Sequence, residues 1–434
     1  MDTHRRELLR GSSLALLLRV AGVGAAYLFN FVIARKFGAS VVGAFAVTTT
    51  IIMILGMLSR FGFDRAIVRF VASSLSAGSR SEAAAYYWYS LMIVGGLGAV
   101  CSVLMYFGAE ILAGQVFDKP HLATALRTGA PAVLLFSVTL LSAEALRGSK
   151  RIGAFAFLRH LLIYLIATPV LIVLIVLNGN LDPLTAPVVA FVSATGIAAV
   201  IALVWTSRIL PWVSPATFVS AAAMLGVATP MLLSNSMGMI ISWTDILMLG
   251  RFVSDAEVGV YSITFKLAFV TGIILNAVNS ISTPKFAELS AAGDNESLAA
   301  VMRQTTRLLF ITAMPILLLL IVAGKLLLGL FGDEFETGYT ALMILAAGQF
   351  VSTISGPVGN LLQMTGNEKI FLAVVAVMAA VNVILNLVLI PRFGIVGAAT
   401  ASAITLTANN LVCVFVVYRR LGFVSIYWPF YAKR

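Results

Sequence analysis

The feature that most constrains this chain is the absence of charge over long stretches. Eight intervals, 37–59, 83–109, 161–181, 183–207, 209–244, 337–367, 370–391 and 393–418, contain no Asp, Glu, Lys or Arg. A helix needs about 20 mostly apolar residues to cross the hydrocarbon core of a bilayer. Four shorter intervals, 20–34, 128–143, 267–284 and 308–324, join the set if one charge per helix is tolerated. The pattern predicts twelve spanning helices, near 14–34, 41–59, 84–107, 123–145, 154–177, 186–206, 217–249, 257–282, 305–324, 338–362, 370–390 and 395–418. With 60% apolar residues, 11% charged and a mean hydropathy of +1.01, the 434 residues fall far from the soluble norm of about 25% charged. A cytosolic enzyme, a disordered chain and a secreted disulfide scaffold are excluded together. The first span reads as a membrane helix rather than a cleavable signal, because no small-residue cleavage site follows its basic start.

The net charge of +11 is a matter of topology. With the N-terminus in the cytoplasm, 20 of the 29 Lys and Arg fall at cytoplasmic ends, Arg60, Arg65, Arg69, Arg147 and Arg159 among them. Six fall outside, and Arg19, Arg127 and Lys266 lie within spans. The positive-inside rule then places both termini in the cytoplasm. A nucleic-acid partner would need a basic stripe on a soluble module, and the sequence offers none.

Catalytic signatures are missing. Cys101 and Cys413 sit in apolar spans, and His4, His121 and His160 are scattered. There is no HExxH, Walker A, GxSxG or dinucleotide fingerprint. The expectation is a protein that is not an enzyme, with no catalytic residue, no metal and no cofactor.

The chain repeats itself. At an offset of 216 residues, Arg35-x7-Gly43-x-Phe45 matches Arg251-x7-Gly259-x-Tyr261. At an offset of 218, Leu146-x-Gly148-x2-Arg151-Ile152 matches Met364-x-Gly366-x2-Lys369-Ile370. Spans 1–6 and 7–12 are therefore two copies of one six-helix unit, and an even number of spans makes the copies parallel. The expected organisation is an N-lobe at 1–206, a cytoplasmic strap at 207–216 holding Pro211, Trp212 and Pro215, and a C-lobe at 217–434 with a short cytoplasmic tail.

These residues resemble a family. Two parallel six-helix halves, each with R-x7-G-x-[FY] at its first turn, are similar to the multidrug/oligosaccharidyl-lipid/polysaccharide exporter superfamily. The run Gly56-Met57-Leu58-Ser59-Arg60-Phe61-Gly62, the Ala145-Leu146-Arg147-Gly148 after span 4 and Gly394-Ile395-Val396-Gly397-Ala398-Ala399 before the last span resemble its polysaccharide branch. The resemblance implies an all-α, V-shaped pair of lobes around a central cavity, working by alternating access. The multidrug branch often carries an acid within its N-lobe helices, whereas here span 1 has none and Asp64 lies at a helix end. The lipid II flippase branch typically has fourteen spans, two more than this chain.

Ionisable groups inside a bilayer usually face a cavity or a partner. Arg19, Ala26 and Asn30 share a helical face, and Asn235 is the matching polar position of the second half. Arg19 either lines the cavity and binds a lipid diphosphate through its guanidinium fork, or snorkels to the surface. Arg60 and Arg65, with Asp64 between them, either complete a cationic mouth or serve as anchors. Asp245 and Lys266 are expected at equal depth in spans 7 and 8, as a structural ion pair or as functional groups. In the latter case Lys266 contacts the anion and Asp245 carries a proton or Na+. Gln349, Ser352, Gly356, Asn360 and Gln363 form a polar stripe on span 10, fit for sugar hydroxyls or for holding helices together. Asn382 and Asn386 read the same way, and Glu144 and Arg147 are candidate gate residues.

The expected function is a flippase moving an undecaprenyl-diphosphate-linked O-antigen or exopolysaccharide unit across the bacterial inner membrane. Polysaccharide polymerase and chain-length proteins are the expected partners, and the expected state is a monomer. The alternatives are a cation-coupled multidrug antiporter of the same superfamily, or a membrane scaffold of a polysaccharide synthesis complex.

Overall fold

The computed structural model describes residues 2–177, 182–213 and 221–427, with side chains described throughout these except at 2–13, 221–223 and 230–242. Every regular element among the described residues is helical. In chain order these are α1 (Asp2–Arg60), α2 (Phe63–Ser76), α3 (Arg80–Ile111), α4 (Leu122–Gly129), α5 (Pro131–Gly148), α6 (Ile152–Ala156), α7 (Leu162–Leu177) and α8 (Ala186–Ile209). There follow α9 (Ala221–Phe252), α10 (Asp255–Ala268), α11 (Thr271–Ala291), α12 (Asn295–Gly329), α13 (Tyr339–Ser355), α14 (Val358–Met364) and α15 (Glu368–Leu421).

Nine segments among the described residues are long and apolar enough to cross a bilayer. Two of them are double. α1 breaks at Gly38 (φ 83°) and α15 at Gly394 (φ 54°), so each holds two spans joined by a non-helical glycine. With α9, whose side chains are only partly described, the spans number twelve. This is the all-α polytopic architecture expected from the charge-free intervals.

The repeat is visible at its first turn. Gly38 interrupts the helix in the first half, and Ser254 occupies the same place in the second. Ser254 caps α10 with a capping box, its Oγ accepting from the Glu257 N–H at 3.3 Å while Glu257 Oε2 accepts from the Ser254 N–H at 3.1 Å. A left-handed glycine and a capped serine are two solutions to the same reversal.

The chain forms two compact units, Met1–Ser236 and Met237–Arg434. Their boundary falls inside α9 rather than in the strap 207–216. The reason lies in the core of unit 1, where Met224 and Ala228, in the first turns of α9, pack with Phe63, Ile67, Tyr87 and Leu141. The described part of the strap is also fixed to this unit. Arg80 donates to the carbonyls of Ile209 (2.7 Å) and Arg208 (3.0 Å), and Trp88 Nε1 donates to Leu210 O at 3.1 Å. Residues 214–216 of the strap lie outside the described residues.

Lipid offers no hydrophobic drive for helix association, so contact rests on close packing of small residues. Gly22 of α1 sits against the His160 backbone and Gly348 of α13 against Ala403 of α15, where any side chain would collide. The core of unit 2 gathers Phe286, Leu298, Met302, Leu361 and Val417 from α11, α12, α14 and α15.

Candidate functional site

Unit 1 gathers arginines around one buried carboxylate. Glu144, near the end of α5, is 1% exposed. Its Oε1 accepts from Arg159 Nη1 at 2.8 Å, and its Oε2 pairs with Arg147 Nη2 at 2.8 Å. Phe155 lies under both guanidiniums, 5.1 Å from that of Arg147 and 5.9 Å from that of Arg159, in cation–π contact. Arg159 is aimed inward by a single wide turn of helix, Phe157–Leu161, between α6 and α7. Such turns recur at functional sites.

Arg60 ends the second arm of α1 and is buried. Its Nε donates to Asp64 Oδ2 at 3.4 Å, and its guanidinium lies 5.8 Å from the Phe136 ring. Its Nη1 is buried with no hydrogen-bond partner. Gly56, one turn back, leaves room for it; a side chain there would stand 3.3 Å from Nη1. Arg19 is half-buried on the first arm. Arg159 lies within electrostatic range of both Arg19 and Arg60, and Arg65 within range of Glu144 and Arg147. The cluster therefore holds Arg19, Arg60, Arg65, Arg147 and Arg159 against only Asp64 and Glu144. Its net charge is positive.

Sequence reasoning joined Arg19, Arg60 and Arg65 in a candidate cationic mouth, set Glu144 and Arg147 apart as gate candidates, and counted Arg159 among the cytoplasmic ends. The structure brings them together through Arg159. A signal was present, since Arg159 lies inside the predicted span 154–177. Asn30 is also buried, higher on α1, and its Nδ2 donates to the Ala26 carbonyl at 2.7 Å. Arg127 is a surface residue paired with Glu110 at 2.6 Å.

Unit 2 holds a second polar centre. Asp245 on α9 has no exposed surface. Its Oδ1 accepts from Asn386 Nδ2 at 2.8 Å, and its Oδ2 accepts from Tyr261 Oη and Ser402 Oγ, both at 2.5 Å. Asn386 also donates to Asn382 Oδ1 (3.1 Å), and Asn382 donates to Thr405 Oγ1 (3.3 Å). The Asn386 Oδ1 is buried without a hydrogen-bond partner. Four helical segments thus converge on one carboxylate.

The ion-pair alternative for Asp245 and Lys266 does not appear among the contacts of the carboxylate, which are the neutral donors Asn386, Tyr261 and Ser402. Tyr261 and Lys266 lie five residues apart on α10, and at about 100° per residue that sets them about 140° apart around the helix. When Tyr261 faces Asp245, Lys266 faces elsewhere. Equal depth did not mean a shared face.

The polar stripe of span 10 is also corrected. α13 ends at Ser355, Gly356 turns left-handed (φ 76°), and α14 starts after Pro357. Gln349 is buried and accepts from Thr271 Oγ1 at 3.3 Å, while Asn360, beyond the break, donates to Thr283 Oγ1 at 3.3 Å. They lie on two helices, each bonded to a neighbour within unit 2. The side chain of Asn235 lies outside the described residues. Among the described residues no group of three or more His, Cys, Asp or Glu gathers as a metal site would require.

The sequence model of the family described as "Polysaccharide biosynthesis protein" matches residues 8–290, well over half the chain. The chain belongs to that family. It is the polysaccharide branch of the multidrug/oligosaccharidyl-lipid/polysaccharide exporter superfamily, and the MatE family model of the same superfamily matches residues 230–388. Among characterised relatives, this family member is 24% identical over 408 residues to the "Probable low-salt glycan biosynthesis flippase Agl15" of Haloferax volcanii, covering 93% of this chain and 82% of the relative. It is 29% identical over 191 residues to the "Probable flippase AglR" of the same organism, 42% of this chain and 39% of the relative. Its fold is shared with an inward-facing multidrug resistance MATE family transporter at a TM-score of 0.75 and 13% identity, covering 94% of this chain and 98% of that one. The lipid II flippase MurJ, in an inward closed conformation, superimposes at a TM-score of 0.71 and 14% identity, covering 94% and 87%.

Proposed function

We propose that this chain is a flippase for a glycan linked through a diphosphate to a polyprenyl lipid, carrying it from the cytoplasmic to the outer leaflet by alternating access. The observation that carries the reading is the arginine cluster of unit 1. Five guanidiniums face two carboxylates at the basic end of membrane helices, and two of them, Arg60 through Nη1 and Arg147 through Nε, keep a buried donor open. A diphosphate supplies the oxygens such a cluster lacks, and the planar fork of Arg binds them in pairs. Glu144 then acts as a holder: it keeps Arg159 and Arg147 apart from each other and aimed at the anion. The relatives from Haloferax volcanii support a lipid-linked glycan more broadly than the O-antigen or exopolysaccharide unit expected from sequence. Transport rather than covalent chemistry follows from this assignment.

Asp245 is the proposed coupling group. Its three donors favour the carboxylate, and the open Asn386 Oδ1 beside it adds an oxygen that a proton carrier or Na+ can use. Protonation or ion binding would loosen the tie between α9, α10 and α15. A second reading, the cation-coupled multidrug antiporter, draws on the same buried carboxylate. It is disfavoured by the sign of unit 1, since drug cations are repelled by a net cationic cluster.

The test is binding by the purified protein. A polyprenyl diphosphate should raise its melting temperature, and Arg60→Gln and Arg159→Gln should weaken that effect by tenfold or more. A cationic dye should leave it unchanged. Stabilisation by the dye with none by the diphosphate would favour the antiporter.

A further inference from the structure

Unit 1 carries a groove whose lining residues are distinct from the arginine cluster. It runs along the seam of α1 and α7. One part, about 400 Å³, is walled by Ala25 and Leu28 on one side and by Leu165, Pro169 and Ile172 on the other. The other part, about 340 Å³, shares Ile172 and is closed by Phe31, Arg35 and Lys36. Ala25, Leu28, Val32 and Arg35 recur at i, i+3, i+7 and i+10, one face of α1.

Local chemistry explains why the seam stays open. Ala25 is small, and Pro169 cannot donate to the Leu165 carbonyl, so its ring keeps α7 from closing on α1. The Thr168 hydroxyl donates to the Tyr164 carbonyl at 2.9 Å, which leaves that part of the wall apolar. Leu28, Leu165, Ile172 and Val173 are between 46% and 53% exposed. The charged groups of the groove are the two cations at its end, both exposed.

Its length selects an occupant. From Ala25 to Lys36 is eleven residues of helix, about 16 Å at 1.5 Å per residue. That is about half of a hydrocarbon core of roughly 30 Å, the depth of one leaflet. We propose that this groove binds one anionic phospholipid of the leaflet next to Arg35 and Lys36, its phosphate on those two cations and one acyl chain along Ile172 and Leu28. A polyprenyl chain would overrun a groove of one leaflet's depth. A lone cationic pair without the groove would attract any anionic headgroup; the two together define a site.

The experiment uses the full chain reconstituted in vesicles, without transported substrate, so its outcome is independent of the flippase assignment. Leu28→Trp places a reporter in the groove, and the signal of the parent chain, which has five tryptophans, is subtracted. Quenching is compared between phosphatidylglycerol and phosphatidylcholine brominated on the acyl chain. The expected result is a preference for the anionic lipid of roughly thirtyfold, on the scale of two basic residues near a charged headgroup. Arg35→Gln with Lys36→Gln should abolish it, and Val200→Trp, at an exposed apolar position of α8, should show none. Equal quenching by both lipids at Leu28→Trp would overturn the proposal, as would a preference that survives the double substitution. Relief of quenching by micromolar polyprenyl diphosphate, with no discrimination between phospholipids, would reassign the groove to the transported lipid's tail.

Discussion

The same place in the two halves holds opposite chemistry. At the 216-residue offset, Asp245 and Tyr261 of unit 2 correspond to Phe29 and Phe45 of unit 1. In unit 2 the pair is a carboxylate and a phenol at 2.5 Å. In unit 1 it is two rings in edge contact, centroids 5.4 Å apart. The surroundings follow: Tyr164 and Phe191 complete an aromatic box around Phe29 and Phe45, whereas Asn382, at the position of Tyr164, belongs to the polar network of Asp245. Duplication kept the helices and let the halves divide the work. Unit 1 is sealed by apolar rings in its interior and collects cations at its basic end, while unit 2 keeps a buried carboxylate.

The largest expected effect comes from moving the carboxylate. Phe29→Asp puts an acid among rings whose one hydroxyl is that of Tyr164, where Asp245 has three donors, and a buried charge short of partners is among the most destabilising changes known. No folded protein should be recovered in detergent. Asp245→Asn keeps the shape but loses the charge and turns one accepting oxygen into a donor, so it should fold with a lowered melting temperature and fail in ion-driven transport. If Phe29→Asp folds normally, the aromatic box is wetter than its geometry implies.

Next is the holder of the arginine cluster. Glu144→Gln leaves Arg159 and Arg147 without their counter-charge; with those side chains 28% and 34% exposed, the cost falls below the about 3–5 kcal/mol of a fully buried pair. Adding Arg159→Gln should restore much of the lost stability while diphosphate binding stays weak. Full recovery of binding in the double variant would remove Arg159 from the site.

Smaller effects separate the two pairs further. Tyr261→Phe removes one hydrogen bond to a buried charged group, worth about 1.5–3 kcal/mol. The reciprocal Phe45→Tyr gains no partner and should destabilise as well, by about 1–3 kcal/mol for an unsatisfied buried hydroxyl. A stabilising Phe45→Tyr would show that unit 1 hides an acceptor there.

The loops before α3 and α12 give the smallest effect. Gly78-Ser79 and Gly293-Asp294 are matching turns, with Ser79 accepting from Glu82 N (3.4 Å) and Asp294 from Ser297 N (2.9 Å). Hydrogen bonds from Ser297 hold the Asp294 carboxyl below its usual range. The cap is therefore fully present above the unfolded value of about 3.9 and is lost as pH falls through the lower folded value. The protection factor of the Ser297 amide should fall on acidification below about pH 4, while that of Glu82 should not show this loss of a carboxylate cap. Parallel behaviour at the two turns would contradict the sign.

The spans and the duplication were legible because a membrane helix announces itself by what it lacks, and because Arg35-x7-Gly43-x-Phe45 and Arg251-x7-Gly259-x-Tyr261 mark one reversal twice. What sequence did not yield was azimuth. Depth counting put Lys266 beside Asp245, but five residues of helix turn it away. The wide turn at Phe157–Leu161 changes the facing of Arg159 with no composition to signal it. The break at Gly356-Pro357 was written plainly in a Gly-Pro pair, and the stripe drawn across it ignored that. Asn382 and Asn386 were noticed as polar residues, yet their partner sits on a helix more than a hundred residues away, beyond any periodicity.

The central claim is that the arginines of unit 1 carry a lipid diphosphate across the bilayer. Its most direct test is translocation of a fluorescent polyprenyl diphosphate in proteoliposomes, read as protection from a membrane-impermeant quencher. The parent chain should move the lipid, Arg60→Gln should fold and be inserted but move it at least tenfold more slowly, and Arg60→Lys should recover only part of the rate. Parental rates in the Arg60→Gln variant would contradict the account.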